Sequence, residues 1–258
     1  MQRRHDPTFY CATRRLPAET RPAVHALYGF VRGADEIVDG DGPARPASPA
    51  AKRAALDAWQ GELERGLAAG RSDHPVLAAL VDAGSRHALP LAQLSVYMDS
   101  MRVDCGPVRI GDEAELDRYM NGSAATVGRI MAPILGAPTE AERFAALGVA
   151  FQLTNFIRDV REDLAMDRQY LPGWEDDARA SVARQVGRAR ELFDTTAGLH
   201  EEMPAAVRGG MRLARAVYER VLDRVESLEF DVLRRRAALP PWQLVTAAGG
   251  SLLPARGR

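Results

Sequence analysis

Residues 148–163, GVAFQLTNFIRDVRED, carry the pattern that decides the fold. Wound as a helix, they put Gly148, Gln152, Asn155, Asp159, Glu162 and Asp163 on one continuous stripe, flanked by Val149, Leu153, Phe156 and Val160. Thr154, Arg158 and Arg161 fall on a separate polar side that can face water. A helix with two polar faces needs two aqueous surroundings, one outside the molecule and one within it. Carboxylates turned inward are costly without partners, so the inner surrounding is expected to be a cavity that holds cations.

The aspartate spacing of this segment recurs once. Asp159 and Asp163 stand four apart around Glu162, and Asp35 and Asp39 stand four apart around Glu36. That spacing puts both carboxylates of a pair on one helix face, where like charges repel unless something offsets them. A magnesium ion does so, taking one or two carboxylates, keeping several waters and completing its shell with phosphate oxygens; manganese is the alternative. Asp35, Glu36, Asp39, Asp159, Glu162 and Asp163 are therefore candidate metal ligands. Either motif by itself also reads as a solvated acidic face. Placement argues for the site. The first helix is predicted from about residue 20 to 39, with Pro22 in its first turn. Its apolar arc is Val24, Leu27, Tyr28, Phe30, Val31, Ala34 and Val38; Asp35 lies inside the edge of that arc and Asp39 beside it.

The rest of the chain is rich in helix formers, and strand-type alternation is scarce. After a break at GDGPARPASP, residues 40–49, helices are predicted at about 51–69, 74–88, 91–104, 113–135, 140–166, 174–199 and 204–236. Asp112, followed three residues later by Glu115, opens the helix at 113 as a capping box. No boundary divides the 258 residues, so the expectation is an all-α, single-domain helical bundle around one core with a central cavity.

Composition narrows the partners. Lys and Arg number 34 against 35 Asp and Glu, and a net charge of −1 offers no footprint for nucleic acid. The two cysteines, Cys11 and Cys105, form neither a disulfide framework nor a zinc-ligand spacing, which points to a reducing compartment. The opening MQRRHDPTFYC has no apolar run behind its arginines, and no stretch is long enough to span a bilayer. A cytoplasmic protein is expected, one that a greasy substrate could still bring to a membrane surface.

Several segments resemble the squalene and phytoene synthase family. LYGFVRGADEIVDG, residues 27–40, is similar to its first aspartate-rich motif, and AFQLTNFIRDVREDLAMDRQYLP, residues 150–172, to its second. YMNGSAATVGRIMAPILG, residues 119–136, resembles the YxxxxAxxxG helix between them, and MRVD at 101–104 also fits. A weaker likeness runs from TFYCATRRLP, residues 8–17, to YERVLDRVESLEFDVLRRRAALPPW, residues 218–242. The motifs stand in the family's order over nearly the whole chain.

The resemblance implies an isoprenoid-synthase fold. In it two antiparallel helices present aspartates to magnesium ions, which hold the diphosphate of an isoprenyl diphosphate and offset charge as it departs. Water would quench the allylic cation, so the remaining wall must be apolar. On this resemblance Asp35, Asp39, Asp159 and Asp163 map to the metal positions, with Glu36 and Glu162 as supporting acids. Arg32, Arg158 and Arg168 map to arginines near the diphosphates, although Arg158 lies off the acidic stripe. Tyr119 maps to a tyrosine at the reacting centre, where a phenol steadies a cation or relays a proton; the plainer reading is a packed core tyrosine. Gln152 and Asn155 read as ligands of water or diphosphate in the cavity, or as partners of backbone groups. Tyr170 reads as a cover of the diphosphate site or a brace of the helix end. Gly122 to Ala125 leave room for a substrate or form a packing seam, and Arg234 to Arg236 read as a solvated helix end.

Three features depart from the family pattern. The first motif reads DEIVD rather than DDIVD. Asn121 and Arg129 replace an aromatic or histidine and an apolar residue, and the stretch after Pro172 passes through GWEDDARASV with about one helix of the family pattern omitted. Head-to-head joining of two prenyl diphosphates is the leading expectation. Transfer to a second small-molecule acceptor, such as an aromatic metabolite, or cyclisation is the alternative, and a non-catalytic scaffold ranks last because both motifs are intact. NADPH is neither called for nor excluded: the chain has no glycine-rich dinucleotide fingerprint, and reduction in this family would not require one.

Overall fold

The computed structural model describes residues 16–40 and 46–237. Helix α1 (Arg21–Asp39) begins with Pro22 in its first turn and stops where the Gly40 N–H turns back to the Glu36 carbonyl at 3.0 Å. Helix α2 (Pro49–Ala69) starts two residues before the expected 51, because the Ser48 hydroxyl caps the Ala51 N–H at 3.2 Å. Helix α3 (Pro75–His87) follows, then a 3-10 turn at Leu91–Gln93 leading into α4 (Leu94–Val103). Asp112 caps α5 (Glu113–Met120) by accepting from Glu115 N–H at 2.7 Å, and Glu115 reaches back past it to the Gly111 N–H at 2.9 Å.

The helix expected over 113–135 runs on as one rod but changes its winding part-way. A π-helical segment, Asn121–Ala125, separates α5 from α6 (Thr126–Ile134). Its cause is tertiary. Gly122 lies so close to α4 that a Cβ there would stand 2.1 Å from Ser100 Oγ and 2.4 Å from the Val96 carbonyl oxygen. Gly128 is pressed in the same way against the Phe144 carbonyl, at 2.3 Å, in the first turn of α7 (Ala141–Ala165). The Gly122 seam is thus a packing contact between helices.

Two further boundaries differ from expectation. Helix α8 (Ala178–Thr195) starts four residues after 174, because Gly173 turns the chain at a φ of 72° and Asp177 caps Ala180 N–H at 3.0 Å. Helix α9 (Ala205–Ser227) ends nine residues before 236, where Glu229 and Phe230 take left-handed φ values of 54° and 60°. Arg234 then donates its N–H to Asp231 Oδ1 at 3.3 Å, so the basic run belongs to a turn and not to a helix end.

Helix α7 is central, packed along α6 on one side and α8 on another, with α9 beside it; α1 packs on α3 and α2. Phe30, Leu56, Leu80, Met98, Leu116 and Leu153 are among the fully buried side chains of one continuous core. Thr154, expected on a water-facing side of α7, is fully buried, and its hydroxyl donates to the Ala150 carbonyl at 2.7 Å. Among the described residues the strands are two short ones, β1 (Val108–Arg109) and β2 (Arg168–Gln169), paired in parallel. The architecture is all-α, and this small ladder fixes the chain leaving α7 against the chain leaving α4. Among the described residues no helix is long and apolar enough to cross a membrane.

The Gly122 contact generates a paired prediction. Gly122→Ala should lower the unfolding free energy in a denaturant titration by about 1–3 kcal/mol, the scale of overpacking. Gly187→Ala in α8, where nothing lies within 4 Å of the added Cβ, should raise it by about 0.5–1 kcal/mol. A neutral Gly122→Ala would mean that α4 and the π segment are less tightly apposed than described.

Candidate active site

Helices α1, α6, α7 and α9 enclose a cavity of about 440 Å³. Its wall is apolar along most of its length, with Val24 and Leu27 from α1, Met131 from α6, Phe144 and Phe151 from α7 and Tyr218 from α9. Asp35, Gln152 and Asn155 enter it at the end toward the C-termini of α1 and α7. The apolar arc read on the first helix divides accordingly: Phe30, Ala34 and Val38 are buried away from the cavity, while the buried Val24 and Leu27 and the half-buried Tyr28 and Val31 line it. Asn155 Oδ1 is buried there without a hydrogen-bond partner among the described residues, the signature of an acceptor waiting for a ligand or water.

The two aspartate motifs meet beyond that end. Arg168, whose side chain is 7% exposed, forks onto Asp39 through Nη1 to Oδ2 at 2.9 Å and Nη2 to Oδ1 at 2.5 Å. Because Arg168 lies three residues past the end of α7, the C-terminal ends of α1 and α7 come together. The helices therefore run in the same sense along the cavity, correcting the antiparallel arrangement that the resemblance implied. Two helix C-termini bring partial negative charge to a place that already holds six acids. Arg168 Nη2 also donates to the Asp104 carbonyl at 3.0 Å. The Asp104 carboxylate accepts from the Tyr119 hydroxyl at 2.6 Å and from the Tyr170 hydroxyl at 2.7 Å. The rings of Tyr119, Phe156 and Tyr170 pack together, with Phe156 stacked on Tyr170 at 4.2 Å between centroids.

Arginines offset part of the charge. Arg32 pairs with Glu36, and Arg158 folds back on its neighbour Asp159 through Nε to Oδ1 at 2.7 Å and Nη2 to Oδ2 at 2.5 Å. Asp35 and Asp163 show what is left over. Burial pushes the Asp35 carboxyl up to about 6, with the Arg32 charge opposing it and those of Asp39, Asp104 and Glu36 adding to it. Burial, then the Asp159 charge, pushes Asp163 up to about 7. Asp104 is also held above the ordinary carboxylate range by burial, which outweighs its two phenol hydrogen bonds. Among the described residues no three acid, histidine or cysteine side chains form a self-contained metal cage. Magnesium does not require one when phosphate oxygens and water complete its shell. The raised carboxyls of Asp35 and Asp163, with the orphaned Asn155 oxygen in the same cavity as Asp35, fit a cation that arrives with a hydrated diphosphate.

The family profile described as squalene/phytoene synthase matches residues 2–243 of the chain. The chain belongs to the squalene/phytoene synthase family. It is similar to the phytoene synthase of Thermus thermophilus, 38% identical over 273 aligned positions that cover 98% of this chain and 91% of that protein. It is similar also to the 15-cis-phytoene synthase of Synechococcus elongatus, 30% identical with coverages of 98% and 90%. Among solved structures, squalene synthase HpnC from Alicyclobacillus acidocaldarius superposes with a TM-score of 0.77 at 27% identity, over 89% of this chain and 91% of that one. A dehydrosqualene synthase in complex with ligand gives 0.82 at 22% identity over 97% and 92%, a likeness of fold. As a member of the squalene/phytoene synthase family the chain is a prenyltransferase with the isoprenoid-synthase fold.

Within that family frame the predicted residues sort into groups. Asp35, Gln152 and Asn155 reach the cavity. Asp39, Arg168, Tyr170 and Tyr119 gather around Asp104, and Tyr119 does not line the cavity. Glu36 and Glu162 are exposed at the rim. Arg158, off the stripe by its helical position, reaches Asp159 only by bending back along its own helix. Two departures from the family pattern turn out to be one interaction. Arg129 forks onto Glu142 at 2.7 and 2.9 Å and donates to Asn121 Oδ1 at 3.1 Å, bracing α6 against α7.

The MRVD segment of the family pattern contains Asp104 without marking its central position. A signal existed. Leu94, Tyr97, Met98 and Met101 form the buried face of α4, and Asp104 continues that face by one more turn. An acid there must have buried partners. Residues 8–15 and 238–242 of the family-like segments, Cys11 and residues 41–45 of the expected break lie outside the described residues.

The carboxyl shifts fix a pH dependence. Asp163 titrates near 3.8 when exposed and at about 7 when folded, so the folded state holds its proton more tightly. The stability this confers is complete below the unfolded value and is lost as pH rises through about 7. Metal-free Asp163→Asn should therefore lose less thermal stability than the wild type between about pH 5 and pH 8, and melt higher at pH 8. Equal slopes in thermal melts would take Asp163 out of the crowded acid group.

Proposed function

We propose that this prenyltransferase is magnesium-dependent and joins two isoprenyl diphosphates head to head. The observation that supports it best is the junction of an apolar cavity with two aspartate motifs at convergent helix ends. Asp35, Asp39, Asp159 and Asp163, with Glu36 and Glu162 beside them, would hold magnesium, which would offset charge on the departing diphosphate. Arg32 and Arg158, at the edge of the acid group, would turn forked donors to diphosphate oxygens, while Arg168, committed to Asp39 and the Asp104 carbonyl, would hold the first motif in place. Gln152 and Asn155 stand between the acids and the apolar wall, suited to ordering water or diphosphate where the two environments meet. The apolar walls keep water from the allylic cation. Exposed Leu164 directly follows Asp163, exposed Met166 lies two residues further on, and exposed Val103 directly precedes Asp104, apolar side chains suited to a greasy substrate arriving from a membrane surface.

Transfer to a second acceptor, or cyclisation, draws its support from the short stretch after Pro172 and from Asn121 and Arg129, and the last two are engaged with each other and with Glu142. Head-to-head condensation is therefore the simpler account, and it agrees with the phytoene synthases among the relatives.

The test is to incubate purified protein and magnesium with prenyl diphosphates of several lengths, with and without NADPH, and to identify organic-phase products by mass spectrometry. Asp39→Ala and Asp159→Ala should each cut diphosphate release by about a hundredfold or more, the scale of losing an electrostatic stabiliser of the leaving group, with helical content unchanged. A chelator should do the same. Turnover that persists without divalent metal, or a product carrying one prenyl unit on a foreign acceptor, would overturn the reading.

A further inference from the structure

Asp104 has a feature that the metal chemistry does not use: it binds through two different parts of itself. Its carboxylate takes the hydroxyls of Tyr119 and Tyr170, at 2.6 and 2.7 Å, while its backbone carbonyl takes Arg168 Nη2 at 3.0 Å. Arg168 in turn forks onto Asp39. Asp104, Tyr119, Arg168 and Tyr170 are all 5–6% exposed and come from the end of α4, from α5 and from the chain leaving α7. A carboxylate only accepts hydrogen bonds, so both phenols must donate to it, and the remaining lone pairs of their oxygens point away from it. The two rings, packed with Phe156, are thereby fixed in rotation as well as in place.

We propose that Asp104 is a positioning residue for the reaction, its side chain setting Tyr119 and Tyr170 and its backbone setting Arg168, so that the aromatic group and Asp39 are held in one register. This rests on the prenyl-transfer reading above. The residue acts through its neighbours: the two phenols offer oxygen lone pairs and ring faces, both able to steady positive charge, and Arg168 holds the first motif. A network that merely knits the fold would stabilise the protein without separating these two halves, and that difference can be measured.

Asp104→Asn keeps the shape and the backbone carbonyl, so the Arg168 contact survives. The amide has one acceptor oxygen and one donor nitrogen, so one phenol must turn its hydrogen elsewhere. The assay uses whichever prenyl diphosphate gives the fastest wild-type diphosphate release. Asp104→Asn should lower kcat by about tenfold to a hundredfold with KM within about twofold, the pattern of a misplaced reacting group. The thermal shift caused by magnesium with inorganic diphosphate should stay that of the wild type, since Asp39 and Arg168 are untouched. Added to Tyr119→Phe, Asp104→Asn should cost less than it does alone, because the share of its effect that runs through the Tyr119 hydroxyl is already lost. Should Asp104→Asn not fold, Tyr170→Phe carries the test: its kcat should fall with the same unchanged thermal shift. Wild-type kcat in whichever variant is measured, additive losses in the double variant, or a thermal shift lost together with melting temperature would overturn the proposal. A wild type that releases no diphosphate from any prenyl substrate would overturn the prenyl-transfer reading and this proposal with it; an active wild type beside an equally active Asp104→Asn overturns this proposal alone.

Discussion

Negative charge gathered where two helices end is the constraint on which the rest of the structure depends. α1 and α7 run in the same sense along one cavity, so their C-terminal dipoles point at the same place, and each adds aspartates to it. Such a cluster opposes folding unless cations are built in or admitted. Arg168 is the built-in part, sealed from solvent and forked onto Asp39. The raised carboxyls of Asp35 and Asp163 are the part that the proposed magnesium would offset. Stability and activity are therefore in tension at this end of the bundle, as is common where a site must be filled by a ligand.

The remaining architecture serves that end. The β1–β2 ladder holds the chain leaving α7, and with it Arg168 and Tyr170, against the chain leaving α4, which carries Asp104. The π segment lets α5 and α6 stay one rod while Gly122 presses on α4 beneath Tyr119, whose carbonyl accepts from Ser100 Oγ at 2.8 Å. Far from the acids the same helices turn apolar, and the cavity they leave is suited to a hydrocarbon. Polar and apolar ends thus arise from the same pair of helices read along their length.

Much of this was legible in the sequence because it is local. The period of α1 gave its arc, and the stripe Gly148, Gln152, Asn155 on α7 does reach the cavity. The four-residue aspartate spacing marked both motifs. What escaped depends on contacts between distant segments. No local signal says that Gly122 will meet Ser100, that Thr154 will be covered, or that Arg129 will find both Glu142 and Asn121. The end of α9 was misread because Glu229 and Phe230, rather than a glycine or proline, take the left-handed turn. The direction of α1 relative to α7 was expected from the family resemblance, since helix periodicity carries no information about how two helices are laid side by side, and the cavity lining corrects it.

The account stands on cations and diphosphate being held between the two motifs, and diffraction can test that directly. Crystals grown with manganese and inorganic diphosphate, measured at a wavelength where manganese scatters anomalously, locate the metal without reference to activity. The account predicts anomalous peaks against Asp35 or Asp39 and against Asp159 or Asp163, with diphosphate density bridging them beside Asn155. Manganese found only on outer surface acids, with the two motifs still engaged by Arg32, Arg168 and Arg158, would contradict it.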